Sequence, residues 1–485
     1  MLKQMNEMVL RRTKIVATLG PATDQNDVLE KVIAAGVDVV RLNFSHGSHE
    51  QHQARIEKVR EIMRQQNRRV GILADLQGPK IRIAKFACGK VTLVNGDTFV
   101  LDAAMASDAG DQHAVGIDYK ELPQDVRDGD TLLLNDGLIE MTVKQVEGSR
   151  IICQVVSGGE LSNHKGINRC GGGLSAKALT DKDKSDLHFA MQQDVDYIAL
   201  SFPRNATDIY EARELMAGYN SNTGVIAKIE RTEAVENLDE IIVASDGVMV
   251  ARGDLAVEIG NAEVPLVQKH IIQRARTLDK PVIIATQMME SMIENPVPTR
   301  AEVSDVATAV LENTDAIMLS AETAAGAFPV KAVQAMAKVC LVVEQQPGSQ
   351  QSKHRVECRF KRVDEAIAMA TMYTANHLNV QAVVALTESG ATALWMSRIR
   401  TGMPIFGLSR FQKTLGKLTL YRGVYPIEFD ITQCTRDDVN REAIAATQKI
   451  ANLKQGDLVI LTKGDLMGIG GGANAMKILK VGEVV

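Results

Sequence analysis

The sequence predicts an α/β protein built as a (β/α)8 TIM barrel, with an inserted small β-barrel lid domain and a C-terminal open-sheet α/β domain. Three observations predict it. Short β-branched runs alternate with helical patterns, one long stretch breaks the alternation, and a second alternating region follows a polar connector. Such alternation marks parallel sheets, because parallel neighbours need a crossover that a helix usually supplies.

Taken in order, the barrel runs are Lys14–Gly20, Val39–Ser45, Val70–Leu76, Tyr197–Phe202, Val225–Glu230, Gly247–Asp254, Val282–Gln287 and Ala316–Glu322. Amphipathic stretches such as Asp27–Ala35, Glu50–Gln65, Ala234–Val243 and Val264–Leu278 provide the crossovers. Eight such repeats close a barrel. Residues 79–164 differ: short strands at Lys90–Val94, Thr98–Leu101, Thr131–Leu134 and Ile151–Val155 are punctuated by Asn95-Gly96-Asp97 and Arg127-Asp128-Gly129-Asp130. That texture is a small all-β domain. It begins after the third strand, at the catalytic end of a barrel, where a lid would sit. The barrel is then residues 1–78 and 165–345, and the lid 79–164. After the polar stretch Gln345–Lys353, residues 354–485 carry strands at Val383–Thr387, Ile405–Ser409, Val424–Phe429, Leu458–Thr462 and Ala475–Val481. Helices are expected at Asp364–Leu378, Ala391–Ile399 and Asp437–Leu453.

Composition bounds the function. Hydrophobic residues make up 45% of the 485 residues but aromatics only 4%, so the core is built from Ala, Val, Ile, Leu and Met. A formal charge of −5 argues against nucleic-acid binding, which calls for a basic face. The cysteines show no CxxC pair or zinc-ligand spacing and read as reduced thiols. The segment MLKQMNEMVLRRTK has no apolar core of a signal peptide, and no apolar run approaches the roughly 18 residues of a membrane span. A cytoplasmic protein is expected.

Barrel chemistry gathers at the C-terminal strand ends. Here Arg41, Asn43 and Ser45 end the second run, Asp75 the third, and Lys228 and Glu230 the fifth. Arg252 and Asp254 end the sixth, Thr286 the seventh, Ser320 and Glu322 the eighth. An isolated pair reads as a salt bridge or strand cap; so many ends converging on one mouth read as an active site. Glu230 and Asp254 are candidate ligands for a hard divalent ion that keeps positions for phosphate oxygens and water, as Mg²⁺ does. Arg41, Arg82, Lys228 and Arg252 are the cations expected around it. Metal and fixed cations together are what phosphoryl transfer requires. No GxxxxGK[ST] loop or protein-kinase signature set is present.

The segments RTKIVATLGPAT (12–23), RLNFSHG (41–47), DLQGPKIR (75–82), AKIER (227–231), MVARGDLAVEI (249–259), ATQMMESMIENPVPTRAEVSDVA (285–307) and IMLSAETAAG (317–326) resemble, in order, the signatures of the pyruvate kinase family. With the inserted and C-terminal domains, the resemblance covers nearly the whole chain. It implies Mg²⁺-dependent transfer of the phosphoryl group of phosphoenolpyruvate to ADP, giving pyruvate and ATP in the last step of glycolysis. Mn²⁺ is the alternative metal, and a homotetramer the implied assembly. By that resemblance Arg41 contacts the substrate phosphate, Lys228 stabilises the transferring group, and Glu230 and Asp254 hold the metal. The backbone at Gly253 holds the substrate carboxylate, and Thr286 lies by the face where the enolate is protonated. Arg82, His46 and Lys165 serve the nucleotide with Asn43 and Ser45 nearby, the lid carrying Arg82 and Lys165 over the phosphates.

Two departures stand out. Many relatives hold K⁺ with residues matching Asn43, Ser45, Asp75 and the backbone of Leu76, and carry Glu where this chain has Lys80. An ammonium there can supply the charge that K⁺ provides elsewhere, so independence of K⁺ is expected; the plainer reading is a solvated lysine. Ala324 and Ala325 replace a lysine of many relatives.

In the C-terminal domain Thr387, Ser389, Gly390 and Thr392 run from a strand into a helix, a phosphate cradle or an ordinary N-cap. The family resemblance favours an allosteric effector site there, within an effector and oligomerisation domain. Glu388 favours a sugar monophosphate or AMP over a bisphosphate, and the glycine run Gly468–Gly472 is either the facing loop or a flexible turn. His46, His49 and His52 mimic a metal cluster, but no carboxylate or thiol is expected beside them, and solvated helix-face histidines are the plainer reading. Two other functions fit parts of the pattern: a metal-dependent barrel lyase forming a pyruvate enolate, and a silent metabolite sensor. The lyase needs neither the nucleotide-facing cations nor a lid, and intact Lys228, Glu230, Asp254 and Thr286 argue against the sensor.

Overall fold

The computed structural model describes residues 10–219, 221–350, 359–435, 437–464 and 472–483. Eight parallel strands close a barrel: β1 (Lys14–Thr18), β2 (Val39–Asn43), β3 (Gly71–Asp75), β4 (Tyr197–Leu200), β5 (Gly224–Ile229), β6 (Gly247–Ala251), β7 (Val282–Ala285) and β8 (Ala316–Leu319). β1 pairs with β2 and β8, which closes the ring. β3 pairs directly with β4, Leu73 opposite Tyr197, although the lid lies between them in sequence.

Several of the crossover helices carry side-chain caps. In α1 (His49–Gln66) the Ser48 side chain accepts from the Gln51 amide while Gln51 returns a bond to the Ser48 amide, so two orphan donors are met. Its buried residues, His52, Ile56, Val59 and Ile62, follow the helical period. The expected helix at Ala234–Val243 is two, Thr232–Glu236 and Leu238–Ala244, split at Asn237.

The strands end earlier than the apolar runs do. β6 stops at Ala251 and the chain turns at once into α2 (Arg252–Ile259), so Arg252 and Asp254 are first-turn helix residues, not strand residues. Glu322 likewise lies in a helical turn, Ala321–Ala324. Glycine at the second helical position and a carboxylate at the third favour a helix start over further pleating. Behind α2 come α3 (Val264–Thr277) and α4 (Arg300–Leu311) on the barrel's outer wall.

The lid has a six-stranded and a two-stranded sheet. Ile167–Arg169 pairs with Thr131–Leu134, so the lid sheet runs on past residue 164, and Arg82 bridges Gly166 where the two connections lie side by side.

The C-terminal sheet contains β9 (Ala382–Leu386), β10 (Ile405–Ser409), β11 (Val424–Glu428), β12 (Leu458–Lys463) and β13 (Ala475–Lys480), in the order β11-β10-β9-β12-β13 with only β13 antiparallel. Residues 468–471 of the glycine run lie outside the described residues. Inward barrel residues Val16, Leu73, Ile226, Met249 and Ile283 share one apolar core with Leu415, Leu418 and Val424 of the C-terminal domain, so barrel floor and domain are packed as one body. Across that seam buried Arg398 pairs with buried Asp315, one guanidinium nitrogen lying 2.9 Å from the carboxylate.

Candidate active site

Arg41, at the third position of β2, points into the mouth, and its Nε donates to Asp75 Oδ2 at 2.6 Å. The ammonium of Lys228, from β5, stands 3.4 Å from Asp75 and 2.8 Å from Glu230 Oε1. Two cations thus flank one fully buried carboxylate. Burial alone would raise Asp75, but Arg41 and Lys228 outweigh it and hold the group below the ordinary carboxyl range. Burial would lower Lys228; Asp75 and Glu230 raise it well above the ordinary lysine value instead. It is a permanent cation.

Glu230 is the strained member. Its Oε2 accepts from the Phe202 amide at 2.9 Å, whereas its buried Oε1 lacks a hydrogen bond of good geometry. Burial, with Asp254 adding to it and Lys228 opposing, raises its pKa. Asp254, half-buried at the start of α2, has its Oδ1 bonded by the Lys80 ammonium at 2.9 Å. Two neighbouring carboxylates, one with a buried oxygen ion-paired to Lys228 but without a well-directed hydrogen bond, fit a hard divalent ion with few protein ligands. Among the described residues no group of three or more His, Cys, Asp or Glu forms a fuller metal cage.

Lys80 is not solvated, and it does not lie on Asp75. It spans Asp254 and, at 3.7 Å, Asp136 of the lid. Burial would lower this ammonium, but Asp254 and Asp136 raise it. Asn43 and Ser45 form a local turn, the Ser45 amide donating to Asn43 Oδ1 at 3.2 Å. The Leu76 carbonyl accepts from Ser201 Oγ at 2.7 Å.

Thr286 leaves β7 with φ +66°, and Gln287 follows at +53°, conformations that a β-branched residue rarely adopts. Arg252 holds them there: its guanidinium donates to the carbonyls of Thr286 (2.7 Å) and Gln287 (3.2 Å) and is anchored by Asp305. Arg252 is therefore turned away from the mouth, contrary to its expected place among the phosphate-facing cations. The Thr286 hydroxyl accepts from the Gly253 amide at 2.9 Å, which fixes the two expected substrate-facing groups against each other. Glu322 also faces away, accepting from the amides of Ser320 and Met289. The Ala324 backbone lies close against Gly20, where an added Cβ would meet the Ala324 carbonyl at 2.6 Å, so residue 20 has no room for a side chain; nothing in the structure explains alanine in place of lysine at 324.

Arg82 sits at the lid connection and donates to the His164 carbonyl at 2.9 Å. Lys165 follows, and among the described residues its ammonium has no partner. His46 is exposed. The other two histidines are not the solvated pair expected: His52 is buried against Phe44 and His49 bonds Asp186 at 2.7 Å, a carboxylate brought in from another helix.

The strand-end rule also covers Ser201 and Phe202, which directly follow β4. Ser201 Oγ receives the Lys228 ammonium at 2.7 Å, and Phe202, at φ +55°, offers its amide to Glu230. In the C-terminal loop Thr387 Oγ1 accepts from the Gly390 amide at 2.9 Å and Ser389 Oγ from Ala391 at 3.4 Å. Thr392 is buried just behind. Glu388 is met by Arg410 at 3.5 Å, a cation that the sequence reading did not place there.

Residues 10–333 match the family described as "Pyruvate kinase, barrel domain", and residues 365–479 that described as "Pyruvate kinase, alpha/beta domain". Pyruvate kinase II of Salmonella typhimurium is 55% identical over 478 residues, covering 97% of this chain and 99% of the relative. A pyruvate kinase of Buchnera aphidicola from Acyrthosiphon pisum is 53% identical with the same coverage. That of Haemophilus influenzae is 52% identical, covering 94% of this chain and 96% of its own.

Proposed function

The chain belongs to the pyruvate kinase family of transferases, and from that premise we propose a Mg²⁺-dependent, K⁺-independent transfer of the phosphoryl group of phosphoenolpyruvate to ADP. The observation that carries the site assignment is the linked set Arg41–Asp75–Lys228–Glu230, facing Lys80–Asp254.

Glu230 and Asp254 would hold the divalent ion, Mg²⁺ or Mn²⁺, which supplies charge neutralisation at the phosphoryl and enolate oxygens when bound. The chain's own residues do the rest. Arg41, already oriented by Asp75, presents its guanidinium to the substrate phosphate. Lys228 remains charged and meets the negative charge that develops on the transferring group. Thr286 stands where a proton reaches the enolate carbon, its position fixed by Gly253 and Arg252. Closure of the lid brings Arg82 and Lys165, with His46, Asn43 and Ser45, around the nucleotide and excludes water that would hydrolyse the phosphoryl group.

Lys80 underlies the K⁺ proposal. With Asp75 already neutralised by Arg41 and Lys228, the ammonium adds a fixed positive charge at the neighbouring Asp254. We place the lid at 79–164, with its sheet continued by Ile167–Arg169, between the barrel segments that begin at residue 1 and resume after it up to 345, and an effector and assembly domain at 354–485. Its loop Thr387–Thr392, with Arg410 now beside Glu388, would take a sugar monophosphate or AMP in a homotetramer. Among the described residues no helix is long and apolar enough to cross a membrane; a cytoplasmic site is our reading. The test is the initial rate of pyruvate formation in K⁺-free buffer and again with KCl. Equal, fast rates support both parts; activity only with KCl removes the role of Lys80; inactivity in both, with effectors added, removes the enzyme reading.

A further inference from the structure

At the seam between the barrel floor and the C-terminal domain lies a cavity of about 290 Å³, bounded by Lys269, Gln273 and Arg276 of α3, Thr308 and Glu312 of and after α4, and Arg400 of the C-terminal domain. We propose that it is an anion site, distinct from the catalytic mouth and from the Thr387–Thr392 loop, that takes the phosphate group of a small phosphomonoester.

Among the described residues the cavity lining carries three cations, Lys269, Arg276 and Arg400, against one carboxylate, Glu312. Arg276 donates one nitrogen to the Arg398 carbonyl at 3.1 Å, and its buried Nε has no hydrogen-bond partner. Among the described residues Arg400 donates to the carbonyls of Gly348 (3.2 Å) and Leu311 (3.3 Å). Among the described residues neither guanidinium, nor Lys269, is paired with a carboxylate. Of the carboxylates nearby, Asp315 is taken by Arg398 and Glu344 by Thr13 and Arg422; Glu312, in the lining, accepts from the neutral Gln268 amide at 3.0 Å and keeps its charge, which offsets one of the three cations. Burial, together with the like charges of Arg398 and Arg400, pushes Arg276 down to about 10. A buried guanidinium N–H without an acceptor is costly, and crowded cations repel. An anion in the cavity relieves both. Two guanidinium forks and one ammonium suit a tetrahedral dianion better than a lone carboxylate, because the forks bind two oxygens each. The cavity volume lies near the lower end of small-molecule sites, the size of a small phosphomonoester. Its walls come from both domains, so occupancy ties α3, the helix that follows Asp254-bearing α2, to the C-terminal domain.

The test is equilibrium dialysis of the full chain against radiolabelled inorganic phosphate at low ionic strength. Catalytic-mouth and effector-loop phosphate sites are common to wild type and variants, so the difference reports the seam. Arg276→Gln with Arg400→Gln is expected to remove one phosphate per chain, or weaken it by at least about tenfold. Arg400→Lys is expected to lose less. Should the double variant fail to fold by circular dichroism, exposed Lys269→Gln is expected to weaken the same phosphate by about fivefold, since one charge-assisted contact is lost. Displacement of the label by glucose 6-phosphate supports the phosphomonoester site; label that glucose 6-phosphate does not displace overturns it and leaves a free-phosphate site only. Unchanged stoichiometry and affinity in the folded variants overturns the proposal. So does loss of the difference only when the effector loop carries Thr392→Ala, or binding of malonate where phosphate does not bind.

Discussion

Lys228 lies within reach of two carboxylates and a serine hydroxyl, and each holds its proton on. A side chain so arranged acts as fixed charge and does not exchange protons during turnover. Lys228→Ala is expected to lower kcat by about 100-fold or more, the scale of losing a preorganised charge contact, with circular dichroism unchanged; near-normal turnover would remove Lys228 from the chemistry. Lys80→Glu places a carboxylate opposite Asp254. The variant is expected to need K⁺ for turnover, and in titrations followed by Mn²⁺ electron paramagnetic resonance its metal affinity should change; indifference in both would sink the reading of Lys80. At this scale much of the site was legible, because Arg41, Asp75, Lys228 and Glu230 obey the strand-end rule. What the rule could not give is partner choice. Arg252 lies two residues from Asp254, yet packing sends it to Asp305 and Thr286, and a spacing argument carries no information about that.

The element that decides the metal side of the mouth is α2. By beginning directly after β6 it puts Asp254 in the first turn, where the helix dipole favours a carboxylate. One turn further on, Glu258 is buried and accepts from the Thr232 amide at 2.9 Å. Burial raises its carboxyl from the ordinary 4.5 to about 7, with the Thr232 amide and Arg231 opposing. Between those values the folded chain keeps a proton that the unfolded chain has released, so this group's contribution to stability falls as pH rises through that window. Glu258→Gln keeps the acceptor and removes the titration. Its melting temperature is expected to fall less than that of wild type between pH 5 and pH 7.5; parallel curves would show that Glu258 does not titrate there. Apolar periodicity located the barrel strands and most crossover helices, but β6 passes into α2 with no loop between them, and periodicity alone could not show where pleating stops. The lid and β-rich insertion were visible through turn residues, while the extension to Ile167–Arg169 depends on pairing with a distant strand that has no local signal.

Across the whole molecule, the barrel and C-terminal domain are joined through a shared core and through Arg398–Asp315, both groups almost without solvent contact. Removing one member strands a buried charge. Arg398→Ala is expected to cost about 3–5 kcal/mol and to lower the thermal midpoint of barrel and C-terminal domain together; a drop confined to one calorimetric transition would show that the two do not unfold as a unit. The strand pairing of β3 with β4 has a different consequence, for how the chain reaches this state. Among the described residues the lid strands pair only with one another, so the insertion can complete its own sheets as it leaves the ribosome, before β4 to β8 exist. Closing an unstructured loop adds only about 0.6 kcal/mol for each doubling of its length, and a folded insertion whose ends emerge side by side closes as a short one. Synthesis would therefore hold β1 to β3 as an open edge beside a finished lid, and the barrel would wait for its C-terminal strands rather than for the insertion.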